Sequence, residues 1–250
     1  MVRQNIVITG ASSGLGWEMA RQFAAMGRNL ALCARRTERL EALQQELKTS
    51  YPDIQVHVRA LDVNDHEQVF AVFEAFAQDF GGRIDRVIVN AGMGKGASLG
   101  TGHFEANRQT AETNFVAALA QCEAALTQFR AQNHGHLVTI SSVSAVRGFR
   151  RAMTVYAATK AALTSLSEGI RVDLLNTPIK VTTVHPGYIQ SEINDRVDKV
   201  PFMVDTETGC RAIIKAIEKE GDNAFVPGWP WAWMRWVLRW APLRMLRSLG

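Results

Sequence analysis

Tyr156 and Lys160 stand four residues apart, the spacing that puts two side chains on one face of a helix. A phenol with a pKa of about 10 lies about 3 units, or roughly 4 kcal/mol, from ready ionisation at neutral pH. A lysine ammonium about 5 Å away supplies around 3 kcal/mol of that at an effective dielectric of 20. The pair is therefore a candidate proton-transfer unit, against the plainer reading of an exposed tyrosine and lysine on a helix. A second candidate is the run Thr9-Gly10-Ala11-Ser12-Ser13-Gly14-Leu15-Gly16. Its G-x-x-x-G-x-G spacing differs from the commoner G-x-G-x-x-G fingerprint, but the physics is shared. Missing side chains let the backbone approach a pyrophosphate, and the helix start that follows offers free N–H groups and a positive dipole end. The alternative is a tight strand–helix turn in which glycine only relieves strain. Arg35 and Arg36 form the third candidate. At about 20 residues past such a loop an NAD site usually carries an acid for the ribose 2′-OH. Arginines there would pair with a 2′-phosphate, and at about 1.5–3 kcal/mol per charge-assisted bond they would favour NADP(H) by tenfold to several hundredfold.

These groups need a scaffold. Short apolar, β-branched runs such as Ile6-Val7-Ile8 and Val87-Ile88-Val89 suit strands buried on both faces. Strands are predicted at about 5–9, 29–34, 54–61, 84–90, 136–142, 179–185 and 223–227. Helices are predicted near 14–27, 37–49, 65–80, 105–132, 154–176 and 206–220. Alternation of this kind predicts one α/β domain, a doubly wound parallel Rossmann-type sheet of about seven strands with helices on both faces and right-handed crossovers. The domain is expected over 1–228, with 229–250 as an amphipathic extension.

Further along the chain come Asp62-Val63, Asn90-Ala91-Gly92, Asn114, Ile140-Ser141-Ser142, Tyr156-Ala157-Ala158-Thr159-Lys160 and Pro186-Gly187-Tyr188-Ile189. With the glycine loop, this ordered set resembles the short-chain dehydrogenase/reductase family in its single-domain branch, from Thr9 to about Pro227. Each motif is weak alone, and their order and spacing carry the resemblance. The resemblance implies an NADP(H)-dependent oxidoreductase that interconverts a carbonyl and a secondary alcohol. It implies that Tyr156 donates the proton, that Lys160 lowers the Tyr156 pKa and binds the nicotinamide ribose, that Ser142 bonds the substrate oxygen, and that Asn114 holds a helix and a water leading to Lys160. The cofactor set it implies is Gly10, Ser12, Ser13, Gly14, Leu15, Gly16, Arg35, Arg36, Asp62, Val63, Asn90, Ala91, Gly92, Tyr156, Lys160, Pro186, Gly187, Ile189 and Ser191.

Two departures from the family pattern stand out. The family serine usually lies thirteen residues before the tyrosine, where this chain has Val143. Ser142, at the strand end, is taken as its equivalent with one residue inserted in the loop 146–151, and Ser144 is the alternative. Ser191 replaces a usual threonine but keeps a hydroxyl. The resemblance also implies a homodimer or homotetramer built on helices 105–132 and 154–176. Met93, Phe149, Met153, Tyr188 and Phe202 are cleft-side candidates, so an apolar ketone or aldehyde is the expected substrate. Rival readings are a membrane-surface reductase of the ketosphinganine or hydroxysteroid type and a non-catalytic NADP-binding scaffold.

The chain has 250 residues, 47% hydrophobic and 21% charged, which excludes a disordered tail, a collagen-like fibre and a coiled-coil rod. Six histidines and three scattered cysteines show no ligand spacing, so no metal is expected. The N-terminal apolar run is too short for a signal peptide, and a cytoplasmic location is expected. The net charge is +4, and segment 229–250 holds four arginines and no acid. Setting those four aside leaves basic and acidic residues equal in number, which argues against a nucleic-acid-binding body. Five of the six tryptophans also fall in this segment. On a helix, Trp233, Trp236, Val237 and Trp240 would share one face, with Arg235 and Arg239 opposite. A subunit contact, a cleft lid and a peripheral membrane contact all fit that pattern. Packing against the protein is favoured, because exposed tryptophans would make a large apolar patch.

Overall fold

A computed structural model of the chain describes residues 2–190 and 202–248. The elements run β1 (Asn5–Thr9), α1 (Gly14–Ala25), β2 (Asn29–Ala34), α2 (Thr37–Ser50), β3 (Val56–Ala60), α3 (His66–Asp79) and β4 (Arg86–Val89). They continue with α4 (Phe104–Ala111), a π-helical turn (Glu112–Val116), α5 (Ala117–Ala131), β5 (Gly135–Ile140), a 3-10 turn (Val143–Val146) and α6 (Met153–Asp173). The chain then forms β6 (Ile179–Pro186), α7 (Thr206–Glu218), β7 (Asn223–Val226), α8 (Gly228–Trp240) and α9 (Leu243–Ser248).

The strands form one seven-stranded sheet in the order β3-β2-β1-β4-β5-β6-β7, with every pairing parallel. Strand side chains alternate between the two faces, so a strand apolar throughout feeds two cores at once. In β1, Val7 packs into the core beneath α3, α5 and α6, beside Phe73, Phe76 and Phe129. Ile6 and Ile8 enter the opposite core beneath α1, α2 and α7, beside Met19, Phe23, Leu40 and Ile213. Each such fully buried side chain stabilises the fold by about 1.5–3 kcal/mol. The expected α/β doubly wound fold is the observed one.

Two local findings differ from the sequence expectation. The single helix expected over 105–132 contains the π turn at Glu112–Val116, and Asn114 lies buried in that turn. Such bulges cluster at functional sites because they re-aim one residue out of register. The C-terminal extension does pack on the domain, but not through its tryptophan stripe. Trp231, Leu238, Ala241 and Leu246 are buried, whereas Trp229, Trp233, Trp236 and Trp240 are more than half exposed. Arg235, expected opposite the stripe, lies with its guanidinium 4.9 Å from the Phe225 ring and 5.0 Å from the Trp236 ring.

Candidate active site

The strand order reverses between β1 and β4, and the C-terminal ends of parallel strands leave a crevice at such a point. The glycine loop leaves β1 there. Gly10 has φ +66°, and a Cβ on it would sit 2.9 Å from Ala91 Cα. A Cβ on Gly16 would run into the Gly10 carbonyl oxygen. The loop is therefore tight because two glycines permit it. Thr9 Oγ1 accepts from the Asn90 and Ala91 amides, each at 3.1 Å, and Asn90 Nδ2 donates to Thr9 O at 2.9 Å. These bonds fasten the ends of β1 and β4 across the crevice. The side chains of Asp65 and Asp205 cap α3 and α7 by accepting from Gln68 N at 3.0 Å and Thr208 N at 2.7 Å. Ser13, at the start of α1, makes no such side-chain cap bond. The α1 N-terminus thus keeps its dipole end directed at the crevice without a side-chain acceptor.

Arg36 follows β2 and reaches back to the loop, its Nε 3.2 Å from Ser12 Oγ and its Nη2 2.6 Å from Ser13 Oγ. Arg35 is exposed beside it. An open groove of about 390 Å³ lies between the loop and α2, lined by Ser12, Ser13, Gly14, Trp17 and Arg39 among others. Neither Trp17 nor Arg39 was singled out by the sequence reading. The placement of Arg39, four residues beyond Arg35 on the opening turn of α2, was the available signal. Val63 is buried at the neighbouring β3 end, where Leu61 N donates to Ala34 O at 3.0 Å. Asp62 Oδ1 accepts from Asn64 N and Nδ2, each at 3.1 Å. Its carboxylate is thus engaged in a local turn at the crevice edge.

Tyr156 and Lys160 share a face of α6, with Lys160 Nζ 5.8 Å from the Tyr156 ring centre. Lys160 Nζ donates to Ile140 O at 2.8 Å, and burial lowers its pKa to about 8. Ser141 Oγ donates to Lys160 O at 2.9 Å, so the end of β5 grips α6 at this residue. The Ser142 hydroxyl bonds the Tyr156 phenol, and that bond lowers the phenol pKa. Burial, the larger influence, pushes it up, and Tyr188 adds to the rise. The net direction is upward, opposite to the lowering expected from Lys160. Ser142 Oγ also accepts from Ser144 N at 3.1 Å and Ser144 Oγ at 3.0 Å. Ser142 is thus the serine at the phenol, and Ser144 stands behind it.

The π turn brings Asn114 into this network. Its Oδ1 accepts from Met93 N at 2.8 Å, and its Nδ2 donates to Met93 O at 2.9 Å. Nδ2 also lies 3.4 Å from Thr159 Oγ1. A Cβ on Gly92 would fall 3.2 Å from Asn114 Oδ1 and 3.6 Å from Lys160 Nζ. Asn114 thus links the segment after β4 to α6, beside the lysine. Thr159 and the Met93 backbone are partners that spacing alone did not reveal.

On the far side of the crevice, β6 ends at Pro186 and Gly187 N donates to Val226 O at 2.8 Å. Trp231 of α8 lies against Gly187, where any Cβ would collide with its indole. The Trp231 ring makes edge contacts with Tyr188 at 5.5 Å and Phe202 at 6.4 Å. Ile189 is buried and bridges to Val204. Ser191 lies outside the described residues. Arg147 donates to Arg239 O at 2.9 Å and Ala241 O at 3.2 Å, joining the loop before Tyr156 to the end of α8. No group of histidine, cysteine or acidic side chains suited to a metal ion occurs among the described residues.

This fold, with a glycine loop at the crevice, defines a Rossmann-type class of α/β protein, and comparison with known proteins narrows it. The short chain dehydrogenase family model matches residues 4–200. An uncharacterized oxidoreductase of Mycobacterium tuberculosis is 53% identical over 253 residues, spanning 100% of this chain and 98% of the relative. A short-chain dehydrogenase from Sphingobium yanoikuyae in complex with NADPH superposes with a TM-score of 0.81 at 27% identity, covering 98% of this chain and 94% of that one. Levodione reductase shares the fold, with a TM-score of 0.83 at 24% identity over 93% of this chain and 99% of that chain. The chain belongs to the short-chain dehydrogenase/reductase family and is an oxidoreductase of that family.

Proposed function

We propose that this oxidoreductase uses NADP(H) and reduces an apolar ketone or aldehyde to the alcohol. The observation that carries the reading is the junction of β5 and α6. There the half-buried Tyr156 bonds Ser142, and a buried ammonium sits beside it on the same helix face.

The residues fit a dinucleotide. The glycine loop is a cradle that Cβ atoms would fill, and the α1 N-terminus carries no side-chain cap. Ser12, Ser13, Gly14, Leu15 and Gly16 would hold the pyrophosphate, and Asn90, Ala91 and Gly92 would border the chain of the cofactor. Asp62 and Val63 would flank the adenine. Arg36, held on the Ser12 and Ser13 hydroxyls, would meet a 2′-phosphate together with Arg35. The NADPH carried by the Sphingobium neighbour supports that choice. When bound, the nicotinamide supplies a hydride.

The chain's own residues then handle the oxygen. A phenol pushed up by burial stays protonated at neutral pH, so Tyr156 Oη is suited to donate its proton to a carbonyl oxygen. Ser142 Oγ, adjacent to that phenol, donates a second bond to the same oxygen. Ser144 orients Ser142 through its hydroxyl and amide. Lys160, with a pKa of about 8, is mostly an ammonium at neutral pH, and it would bind ribose hydroxyls and steady negative charge on Tyr156 Oη. Asn114 fixes the segment that borders Lys160. Trp231, in ring contact with Tyr188 and Phe202, would give the substrate side an apolar wall. Assembly as a homodimer or homotetramer belongs to the same proposal, supported by the exposed Val116, Leu119 and Val172 around α5 and α6.

The test is NADPH consumption with a panel of apolar ketones, aldehydes and quinones. Turnover by the wild-type chain, abolished in Tyr156→Phe while NADPH still binds, is the expected result. NADPH binding with no turnover of any panel member would favour a non-catalytic scaffold, and equal turnover by Tyr156→Phe would overturn the chemistry.

A further inference from the structure

The C-terminal helices present two opposite faces. One is committed to the protein: Trp231 lies on Gly187, and Leu238, Ala241 and Leu246 pack with Val146 and Phe149. The other carries Trp233, Trp236 and Trp240, with Leu243 following on α9, exposed by 62%, 53%, 77% and 75%. Three tryptophans at that exposure present on the order of 400 Å² of apolar surface, about what the largest patch on a typical monomer reaches. Their outward direction means they do not line the crevice, a place taken by Trp231. Arg239, Arg244 and Arg247 are also exposed on these two helices, with Arg239 at the flank of the tryptophan face, and segment 229–250 holds no acid.

We propose that this face docks on an anionic lipid bilayer, with α8 lying in the plane of the interface. The amphipathic indole suits the headgroup boundary, and exposed arginines beside it add attraction to anionic headgroups. No described helix is long and apolar enough to cross a membrane, which suits a helix that lies on the surface. A second copy of the chain is the weaker occupant, because an isologous contact would bring the arginines of this acid-free segment against their own copies. Arg147 ties the end of α8 to the loop before Tyr156, so docking through the outer face of α8 would hold that loop near the lipid. The docking itself does not depend on the redox reading.

The experiment is flotation of the full chain with vesicles of phosphatidylcholine alone or with phosphatidylglycerol added. At least tenfold tighter binding to the anionic vesicles is expected, with a loss of at least tenfold as salt rises from about 50 mM to 500 mM. Replacing Trp233, Trp236 and Trp240 together by Ser should weaken binding at least tenfold, keep circular dichroism and shift Tm only slightly, because the rings are more than half exposed and Trp236 reaches the domain only through Arg235. Replacing Arg239, Arg244 and Arg247 by Gln should reduce the anionic preference and flatten the salt dependence. Absence of binding by the intact chain would overturn the proposal, and so would undiminished binding by either triple variant. A drop in molecular mass by light scattering in the tryptophan variant, without vesicle binding by the wild type, would instead assign the face to a second copy.

Discussion

The two edges of the sheet each bury a cation, and they treat it differently. At the N-terminal edge, Arg86 is 1% exposed and pairs with Glu218, with Glu220 at 3.7 Å and with His136 Nδ1 at 2.9 Å. Arg3 closes the cluster on Glu220 at 2.7 Å. At the C-terminal edge, Lys160 is 6% exposed, and among the described residues no carboxylate pairs with it. It has one backbone carbonyl and the face of a tyrosine. Burial lowers its pKa without an opposing acid. A paired buried charge holds elements together, whereas a buried charge left without a counterion is costly unless a ligand supplies partners. The first edge is therefore built for cohesion, and the second keeps a charge for a partner to meet, as the proposed function requires.

The largest expected effect lies at the second edge. Tyr156→Phe removes the proton and one bond to the substrate oxygen, and kcat should fall by about 10²–10⁴-fold or more. NADPH affinity should change little and Tm should hold. Turnover within tenfold of wild type would break the assignment of chemistry to this edge.

Next come the two cations themselves. Arg86→Ala takes the close buried partner from Glu218, leaving it only Arg28 at 3.6 Å while Glu220 keeps Arg3, and should cost about 3 kcal/mol of stability, at the low end of the range because both carboxylates are partly exposed and keep a second cation. It should leave cofactor affinity intact. Lys160→Met should do the reverse, losing cofactor affinity and kcat while keeping Tm or raising it. Chemical denaturation and calorimetric titration of both variants read this directly, and equal effects on stability and binding at the two positions would erase the contrast.

A third test uses pH. Lys160 has its pKa lowered to about 8, so its ammonium is present below that value and lost above it. NADPH affinity should therefore fall as pH rises through about 8, by up to about tenfold per unit. Lys160→Met should be flat over the same window. The smallest effect distinguishes the serines. Ser142→Ala should lower kcat strongly, whereas Ser144→Ala, which removes only the hydroxyl behind Ser142, should lower it several-fold. Equal losses would make Ser144 a direct contributor.

The contrast also marks what the sequence could carry. The apolar strands, the Tyr156–Lys160 spacing and the glycine loop are local patterns, and each appears where the residues place it. The Ser142–Tyr156 bond is partly legible, since strand-end position favoured Ser142, but its partnership with Ser144 depends on the 3-10 turn that follows. The π turn at Asn114 was not legible, because the alanine-rich run that follows carries too weak an apolar stripe to show the one-residue change of phase. Trp231 on Gly187 is a contact across more than forty residues and has no local signature. The tail helix was legible as amphipathic, but which face meets the domain was not. Trp231 and Leu238 share the minor apolar face, and only the surface formed by Gly187, Val146 and Phe149 selects it.

The central claim is that the C-terminal edge is an NADP(H) site held by the α1 loop, Arg35, Arg36 and Lys160. Calorimetric titration of NADPH and NADH into the wild-type chain tests it most directly, with the Arg35→Ala, Arg36→Ala double variant as its companion. NADPH should bind at least tenfold tighter than NADH in the wild type, with the two brought close to equal in the double variant. Equal affinities in the wild type, or a preference that survives the double substitution, would contradict it.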